Sequence, residues 1–295
     1  MERSQVRETV LITGVGGSAG RAAATYFAGR GYRVLGTDMR DADSPATAFR
    51  LVPPAREGAF VAALLEIATK EKVGLLVPTV SEELPIVARM RGALRERGIS
   101  LSLSGAPGVD IANDKLRTAE ELGKAGVSVP ITFPQATPRA DLIAALGWPV
   151  LSKPRVGRGG RGVRVHASPA DLVRTETEEV VFQEFLPGEE YDLNLFVERD
   201  GRVPAAVVLR KTGLKEGLVG NALGTERAER PDIAALGIEA ARALHLEGPL
   251  DMDIRLRANG TPAVLEINAR LGANVLSARE VLDAFHDAWR NDRCA

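Results

Sequence analysis

The order of predicted strands and helices constrains this chain most strongly. "TVLITG" is an apolar strand that ends at Gly14, "SAGRAAATYFAGRG" is a helix, and "YRVLGTD" is a second strand that ends at Asp38. A third strand, "VGLLVPT", precedes a helix for which Ser81 is the expected N-cap. Alternating strands and helices favour a parallel sheet, so we predict an α/β, Rossmann-like domain over residues 1–110.

A different pattern begins near residue 111. Strands such as "VPAAVVLRKT", "DMDIRLRA" and "TPAVLEINAR" are separated by short turns, and one long helix, "PDIAALGIEAARALHL", lies among them. Short turns between strands are typical of antiparallel hairpins. We therefore predict a separate α+β unit over residues 111–295.

Composition narrows the classes of function. Of 295 residues, 45% are apolar and 26% charged, which is ordinary for a globular enzyme. A net charge of −1 argues against nucleic-acid and membrane-surface partners. The sequence has no apolar run long enough to cross a bilayer and no signal-peptide pattern at its start. The single cysteine, Cys294, excludes an intrachain disulfide, and we expect a cytoplasmic protein.

The stretch "LSKPRVGRGGRGVRV" places Lys153 at the end of an apolar strand, just before a glycine-rich basic segment. The segment contains Gly157, Arg158, Gly159, Gly160, Arg161 and Gly162. Glycines allow a close backbone approach and basic side chains favour an anion, so the stretch predicts a phosphate-binding hairpin that folds over its ligand as a flap. A flexible basic hairpin without a ligand is the alternative.

The residues after these glycines predict a strand rather than a helix. Two valines alternate with Arg164 and His166, which is typical of a half-buried strand. The segment is also not a Walker A loop, because no Gly-Lys-Ser/Thr follows the glycines.

"GVGGSAG", from Gly14 to Gly20, follows the first strand, and Asp38 ends the second. This matches part of a dinucleotide-binding pattern, in which glycines approach a pyrophosphate and the acid binds a ribose. Glycines that merely allow close strand–helix packing are the alternative. The chain lacks the Tyr-x-x-x-Lys pattern of short-chain dehydrogenases, and an NAD(P)-dependent oxidoreductase is kept as an alternative function.

"FQEFLPGEEY" joins an apolar strand to a Pro187-Gly188 turn and two acids. A purine needs an apolar slot with backbone hydrogen bonds along its edge, and a ribose needs an acceptor for its hydroxyls. The Leu186 backbone and the Glu190 carboxylate can meet these needs. An ordinary hairpin with solvated acids is the alternative.

"DMDIRLRANGTPAVLEINAR" predicts two strands paired across the turn "ANGT". Alternate residues of a strand share a face, so Asp253 can lie on the same face as Glu266 and Asn268. Two carboxylates and an amide oxygen suit Mg²⁺, and Arg270 can meet a terminal phosphate beside the metal. A surface strand with alternating charges is the alternative, although the flanking apolar residues indicate burial.

Five motifs follow one another along the chain: "NDK", "LSKP", the glycine segment, "QEFLPGEEY" and "DMDI…LEINAR". In this order they resemble the ATP-grasp family over nearly the whole chain. The similarity is greatest to the carbamoyl-phosphate synthase large subunit and to amino-acid ligases with a single ATP-grasp unit. It implies a pre-ATP-grasp domain over residues 1–110, with "GVGGSAG" as a substrate-side or structural loop. An ATP-grasp domain follows over 111–295, with a small lobe at about 118–185 and a large lobe at about 186–295.

The resemblance also implies roles for individual residues. By resemblance, the phosphate-binding residues are Lys115, Lys153, Gly159, Gly160 and Gly162, the adenine and ribose residues are Glu184, Phe185, Leu186 and Glu190, the Mg²⁺ ligands are Asp253, Glu266 and Asn268, and the residue at the transferred phosphate is Arg270. Ala269 stands where the family commonly has proline, and we expect no ligand contact there.

Two further segments concern the substrate. In "LRKTGLKEG", Arg210, Lys211 and Lys215 can meet a substrate carboxylate or form a solvated basic loop. We take Lys211, together with Arg270, as a candidate catalytic residue. The residues from Gly272 to Asn274 are expected to border the acceptor site.

The resemblance implies an ATP-dependent carboxylate–amine ligase that works through an acylphosphate. ATP and Mg²⁺ are the expected cofactors, small-molecule carboxylates and amines are the expected substrates, and a homodimer is compatible with the family. A single ATP-grasp unit argues against carbamoyl phosphate synthesis, which needs two. An ATP-binding regulatory module without ligase chemistry is the other alternative.

Overall fold

A computed structural model describes residues 8–157, 159–172, 179–214 and 222–292, so Arg158, Lys215 and Cys294 lie outside the described residues. The first sheet is parallel. Its strands are β1 (Thr9–Thr13), β2 (Arg33–Asp38), β3 (Ala48–Leu51), β4 (Val73–Val77) and β5 (Ser100–Leu101), in the order β3-β2-β1-β4-β5. The helices around it are α1 (Ser18–Gly29), α2 (Ala59–Lys70), α3 (Leu84–Arg89), α4 (Arg91–Arg95) and α5 (Ala106–Ala112). β1 and β4 are buried throughout, as expected for central parallel strands, and the predicted Rossmann-like sheet is confirmed.

The second sheet is antiparallel and carries the glycine hairpin. Helix α6 (Lys115–Lys124) leads into it, and α7 (Arg139–Leu146) packs beside it. Its strands are β6 (Thr132–Pro134), β7 (Val150–Pro154), β8 (Arg164–His166) and β9 (Val180–Glu184), in the order β6-β9-β7-β8. Because β7 and β8 pair antiparallel on either side of the glycines, the predicted hairpin is confirmed.

The third sheet is antiparallel as well. Its strands are β10 (Glu190–Val197), β11 (Ala205–Lys211), β12 (Thr225–Arg227), β13 (Gly248–Leu256) and β14 (Pro262–Asn268), in the order β12-β11-β10-β13-β14. Helix α8 (Pro231–Ala243) and the C-terminal helix α9 (Arg279–Asp292) pack against it. The two antiparallel sheets confirm the predicted fold class.

The buried side chains form one large body and one small lobe. A core that contains Leu11 and Leu76 of the first sheet continues into Leu193 and Ile254 of the third sheet. The second sheet has a core of its own, which includes the fully buried Phe182. The first and third sheets are therefore packed together, and the glycine hairpin belongs to the separate lobe. The domain boundary near residue 110 stays a prediction.

Two local predictions are wrong. Ser81 does not cap a helix, because α3 begins at Leu84 and its N-cap is Glu83. In β8, Arg164 is exposed as apolar alternation predicts, but Val165 is exposed and His166 is buried, opposite to that expectation. The His166 ring makes a hydrogen bond with Ser152 Oγ at 2.7 Å, and this contact satisfies the imidazole inside the small lobe.

Over residues 8–157, 159–172, 179–214 and 222–292, no helix has both the length and the apolar composition needed to cross a bilayer.

Candidate active site

A cleft between the second and third sheets collects most of the predicted site residues. Its lining consists of Leu151, Lys153, Gly159, Gly160, Val163, Gln183, Glu184, Phe185, Leu186, Glu190, Lys211, Asp253, Arg255, Leu265 and Glu266. The other predicted residues, Lys115, Gly162, Asn268 and Arg270, lie beside this lining. Motifs more than a hundred residues apart in the sequence thus meet in one place.

The flap adopts backbone conformations that favour glycine. The angle φ is +68° at Gly159, +72° at Gly160 and +74° at Gly162, all in the left-handed region that strains other residues. At Gly162, a Cβ would also lie 2.8 Å from Pro154 Cγ. The turn itself therefore requires glycine, and Gly159 and Gly160 border the cleft.

Lys153 projects from β7 into the cleft and is 6% exposed. Its Nζ donates to the Leu265 carbonyl at 3.2 Å. Burial, and next the positive charge of Lys115, lower the pKa of Lys153 to about 8. A buried ammonium close to a second ammonium favours an anionic ligand, because an anion offsets both charges.

Lys115 connects the flap to the third sheet. It is the first residue of α6, which Asp114 caps by accepting the Leu116 N–H at 3.1 Å. Lys115 Nζ donates to the Gly157 carbonyl at 2.8 Å and lies 3.1 Å from Glu266 Oε2. The capped helix start thus fixes an ammonium between the flap and a predicted metal ligand.

Neighbouring strands bring carboxylates together on one face of the third sheet. Asp253 on β13 lies opposite Glu266 on β14 and opposite Asp192 on β10. Lys211, at the end of β11, places Nζ 2.5 Å from Glu190 Oε1 and 2.6 Å from Asp253 Oδ1. Burial alone would lower the pKa of Lys211, but Asp253 and Glu190 outweigh it, and the pKa is raised. Lys211 is therefore a charged partner of two acids in the cleft.

The predicted Mg²⁺ ligands fit a hard cation by the chemistry of their donors. Asp253 and Glu266 are cross-strand partners, and Asn268 follows Glu266 by two positions on β14, so the three share a face. Asn268 is buried, and its Oδ1 lies 3.4 Å from Ser81 Oγ. In the described part of the chain, no three His, Cys, Asp or Glu side chains form a metal site by themselves. A cation held by Asp253 and Glu266 would have the Asn268 amide oxygen on the same face of the sheet as a third protein ligand.

A buried polar network continues from these ligands, and sequence analysis missed it. Arg270 Nη1 donates to Asp251 Oδ2 at 3.1 Å, and Asn268 Nδ2 donates to the same oxygen at 3.3 Å. Burial, and next the charge of Asp192, raise the pKa of Asp251 well above its ordinary value. Arg270 Nε is buried and has no hydrogen-bond partner among the residues that the structure describes. The guanidinium thus retains a donor for a ligand.

Amide side chains fix Asp192 within the network. Asn194 Nδ2 donates to its Oδ1 and Asn274 Nδ2 to its Oδ2, each at 2.7 Å. The segment from Gly272 to Asn274 therefore lies beside Arg270 and the predicted metal ligands. Polar residues at every second position of "YDLNLF" and "PLDMDI" were the available signal, since such alternation gives an apolar strand one polar face.

The cleft also has apolar residues in its lining, namely Leu151, Val163, Leu186 and Leu265. The Glu184 carboxylate accepts the Ile131 N–H at 3.1 Å and Arg257 Nε at 3.0 Å. Because these hydrogen bonds occupy the carboxylate, a purine bound at this position would form its hydrogen bonds with the backbone instead.

Arg210 lies outside the cleft although it precedes Lys211. Its side chain is 42% exposed and forms ion pairs with Glu189, at 2.8 Å, and with Glu226. Successive strand residues face opposite sides of a sheet, which explains why only Lys211 reaches the site. Of the two interpretations of this basic segment, the structure favours solvent exposure for Arg210.

Residues 112–274 match the family model described as ATP-grasp domain. The chain is 25% identical over 234 residues to a phosphoribosylamine–glycine ligase of Synechocystis sp., which covers 71% of this chain and 55% of that protein. It is 27% identical over 211 residues to a D-alanine–D-alanine ligase of Gloeobacter violaceus, and the alignment covers 64% of this chain and 69% of that protein. It is 24% identical over 208 residues to a carbamoyl phosphate synthase large chain of Xylella fastidiosa, and the alignment covers 63% of this chain and 19% of that protein. The chain thus spans about half of the first relative and about a fifth of the third.

The fold is similar to that of biotin carboxylase from Campylobacter jejuni, with a TM-score of 0.74 and 16% identity. The alignment covers 96% of this chain and 71% of that structure. All three sheets are therefore part of an arrangement already seen in a solved structure.

Proposed function

Because the chain belongs to the ATP-grasp family, we propose that it is an ATP-dependent ligase that activates a carboxylate as an acylphosphate and joins it to an amine. ADP and phosphate are the other products. Two of its relatives are named as a phosphoribosylamine–glycine ligase and a D-alanine–D-alanine ligase. Their names support a carboxylate–amine ligase as the class of activity.

One observation carries this proposal: buried ammonium groups and a carboxylate pair face each other in the same cleft. Lys115 lies 3.1 Å from Glu266, and Lys153 is buried nearby with a pKa lowered to about 8. Phosphates would offset the lysine charges, and a divalent cation would offset the charges of Asp253 and Glu266. A nucleoside triphosphate with Mg²⁺ supplies both.

The predicted phosphate-binding and metal-binding residues have separate roles in this reaction. Lys115, Lys153 and the flap N–H groups bind the terminal phosphates, and Asp253, Glu266 and Asn268 hold Mg²⁺. When bound, Mg²⁺ neutralises charge on the phosphoryl group being transferred. Arg270 offsets the charge that develops on the same group in the transition state.

The proposed reaction has two steps. A substrate carboxylate oxygen attacks the γ-phosphorus, and the bond to the bridging oxygen breaks to release ADP. The amine nitrogen then attacks the carbonyl carbon, phosphate leaves, and the nitrogen loses a proton. The flap excludes water that would otherwise hydrolyse the acylphosphate.

Lys211 has a different role from the one that sequence analysis considered. Its ammonium lies between Glu190, the proposed ribose acceptor, and Asp253, a proposed metal ligand. We assign it to the orientation of these two acids next to the reacting phosphates, rather than to capture of a substrate carboxylate.

The NAD(P) alternative is disfavoured by the glycine loop after β1. The Gly16 N–H donates to Asp38 Oδ2 at 3.1 Å, which engages the acid that a dinucleotide ribose would need. Three further expectations stay predictions: the small-molecule carboxylate and amine substrates, the homodimer and the cytoplasmic location.

The test is ADP release from ATP and Mg²⁺ in the presence of pairs of carboxylic acids and amines, with amino acids in both roles. We expect at least one pair to stimulate release of ADP and phosphate in equal amounts. Tight ATP binding without ADP release from any pair would favour the regulatory module.

A further inference from the structure

Arg255 lies in the cleft and has no role in the reaction described above. It follows Asp253 by two positions on β13, so both side chains face the cleft. It is 7% exposed, and burial lowers its pKa while Glu190 opposes that effect. A buried arginine is costly unless its charge and its N–H groups are matched, so its partners indicate what it does.

Three contacts of Arg255 are with the hairpin that enters β10. Its Nε donates to the Gly188 carbonyl at 3.1 Å, and its Nη1 lies 3.4 Å from Glu190 Oε2. Its guanidinium carbon is 5.5 Å from the centroid of the Phe185 ring. One side chain thus spans the segment that borders both the proposed adenine slot and the proposed ribose acceptor.

Glu190 is consequently fixed from two neighbouring strands. Lys211 on β11 contacts Oε1 at 2.5 Å, and Arg255 on β13 contacts Oε2 at 3.4 Å. The two cations constrain the rotation of the carboxylate and favour its charged form, whereas burial outweighs them and raises the pKa of Glu190. Its remaining lone pairs are then available to a hydroxyl donor in the cleft.

We propose that Arg255 is a positioning residue that fixes Glu190 as the acceptor for a ribose hydroxyl, and that it thereby makes the cleft selective for ribonucleotides over deoxyribonucleotides. This inference rests on the proposed ATP-dependent function. An arginine with a purely structural role would affect stability, or the affinity for all nucleotides equally, but not the discrimination between sugars.

The experiment measures binding of ADP, 2′-deoxy-ADP and 3′-deoxy-ADP by isothermal titration calorimetry in Mg²⁺. Arg255→Leu removes the polar contacts with Gly188 and Glu190. Arg255→Gln keeps a donor that can reach Gly188 but removes the charge beside Glu190. Arg210→Leu is the matched control, because Arg210 pairs with the adjacent Glu189 outside the cleft.

We expect the wild type to bind ADP about tenfold more tightly than the analogue that lacks the accepted hydroxyl, as a hydrogen bond to a charged group provides. In Arg255→Gln and Arg255→Leu, ADP affinity should fall to about that of the analogue, while analogue affinity changes less than about twofold. Arg210→Leu should keep the wild-type ratio. In Glu190→Gln, the further change Arg255→Gln should have almost no effect on the ratio, since the two residues act together.

The outcomes separate the inference from the proposed function. A wild type that binds no ADP overturns the ligase proposal and this inference with it. A wild type that binds ADP without preference for the ribose, or Arg255 variants that keep the preference, overturns the inference alone. If Arg255→Leu fails to fold, the sugar preference of Arg255→Gln tests the inference, provided that its melting temperature is close to that of the wild type.

Discussion

Lys115 Nζ lies 3.1 Å from Glu266 Oε2, and this contact joins the proposed phosphate-binding side of the cleft to its proposed metal-binding side. The same ammonium donates to the Gly157 carbonyl at the base of the flap. A charge change at Glu266 is therefore expected to alter nucleotide binding as well as metal binding.

For Glu266→Gln, we expect the enhancement of ADP binding by Mg²⁺ to be lost, because the amide removes one ligand charge. Binding of metal-free ADP should be kept or become tighter, because Lys115 no longer has an anionic partner and a negative charge near the phosphates is gone. Calorimetry with and without Mg²⁺ measures both effects. The control is Glu226→Gln, in an exposed ion pair with Arg210, and an unchanged Mg²⁺ enhancement in Glu266→Gln would contradict the metal assignment.

The lowered pKa of Lys153 predicts a pH dependence of nucleotide binding. Because its pKa in the free protein is about 8, the side chain loses its proton as the pH rises above 8. Bound phosphates favour the charged form and raise the pKa, so binding should take up a proton between about pH 8 and 10, and metal-free ADP affinity should fall across this range. Calorimetry at pH 8.5 in buffers of different ionisation enthalpy detects the proton.

Lys153→Met provides the control for that measurement. It should bind ADP weakly at every pH and show no proton uptake above pH 8. Proton uptake equal to that of the wild type would assign the titration to another group.

For Gly160→Val, we expect a folded protein with weaker ATP binding. A side chain at φ +72° is strained by about 1–3 kcal/mol and enters the cleft. Gly201→Val is the matched control, since Gly201 has φ +83° in a turn outside the cleft with open space around it. Both variants should have lower melting temperatures, but equal ATP affinities in the two would show that the flap does not contact the nucleotide.

ATP with Mg²⁺ should raise the melting temperature of the wild type, and NADH should not. A ligand that binds only the folded state stabilises it, and Lys115, Lys153 and the flap suit a triphosphate. Thermal denaturation with each ligand tests this directly. Stabilisation by NADH with no effect of ATP would favour the oxidoreductase alternative.

With a substrate pair that stimulates ADP release, hydroxylamine should trap the acylphosphate as a hydroxamate. Arg270→Lys should lower kcat by about a hundredfold, because lysine lacks the planar fork that stabilises the phosphoryl group in the transition state. ATP affinity should change less than about threefold, since the contact strengthens in the transition state. A stable phosphorylated product without any hydroxamate would instead identify a kinase.

The sequence by itself determined the features that depend on local geometry. The glycines make left-handed φ angles accessible to the flap, because few other residues adopt them. Glu266 and Asn268 share a face because the side-chain period of a strand is two. The alternation of strands and helices before residue 110 also predicted the parallel sheet that the structure shows.

Only the tertiary structure decided which side of each strand faces the cleft. Alternation places Arg210 and Lys211 on opposite faces of the sheet. The pairing of β10 with β11 and β13 decides that Lys211 faces the cleft, and it also places Arg255 against Glu190. Ser81 was expected at a helix end, yet it meets Asn268, which is 187 positions away. Residues so distant are brought together by the packing of two sheets in a shared core, and no short-range periodicity of the sequence carries that information.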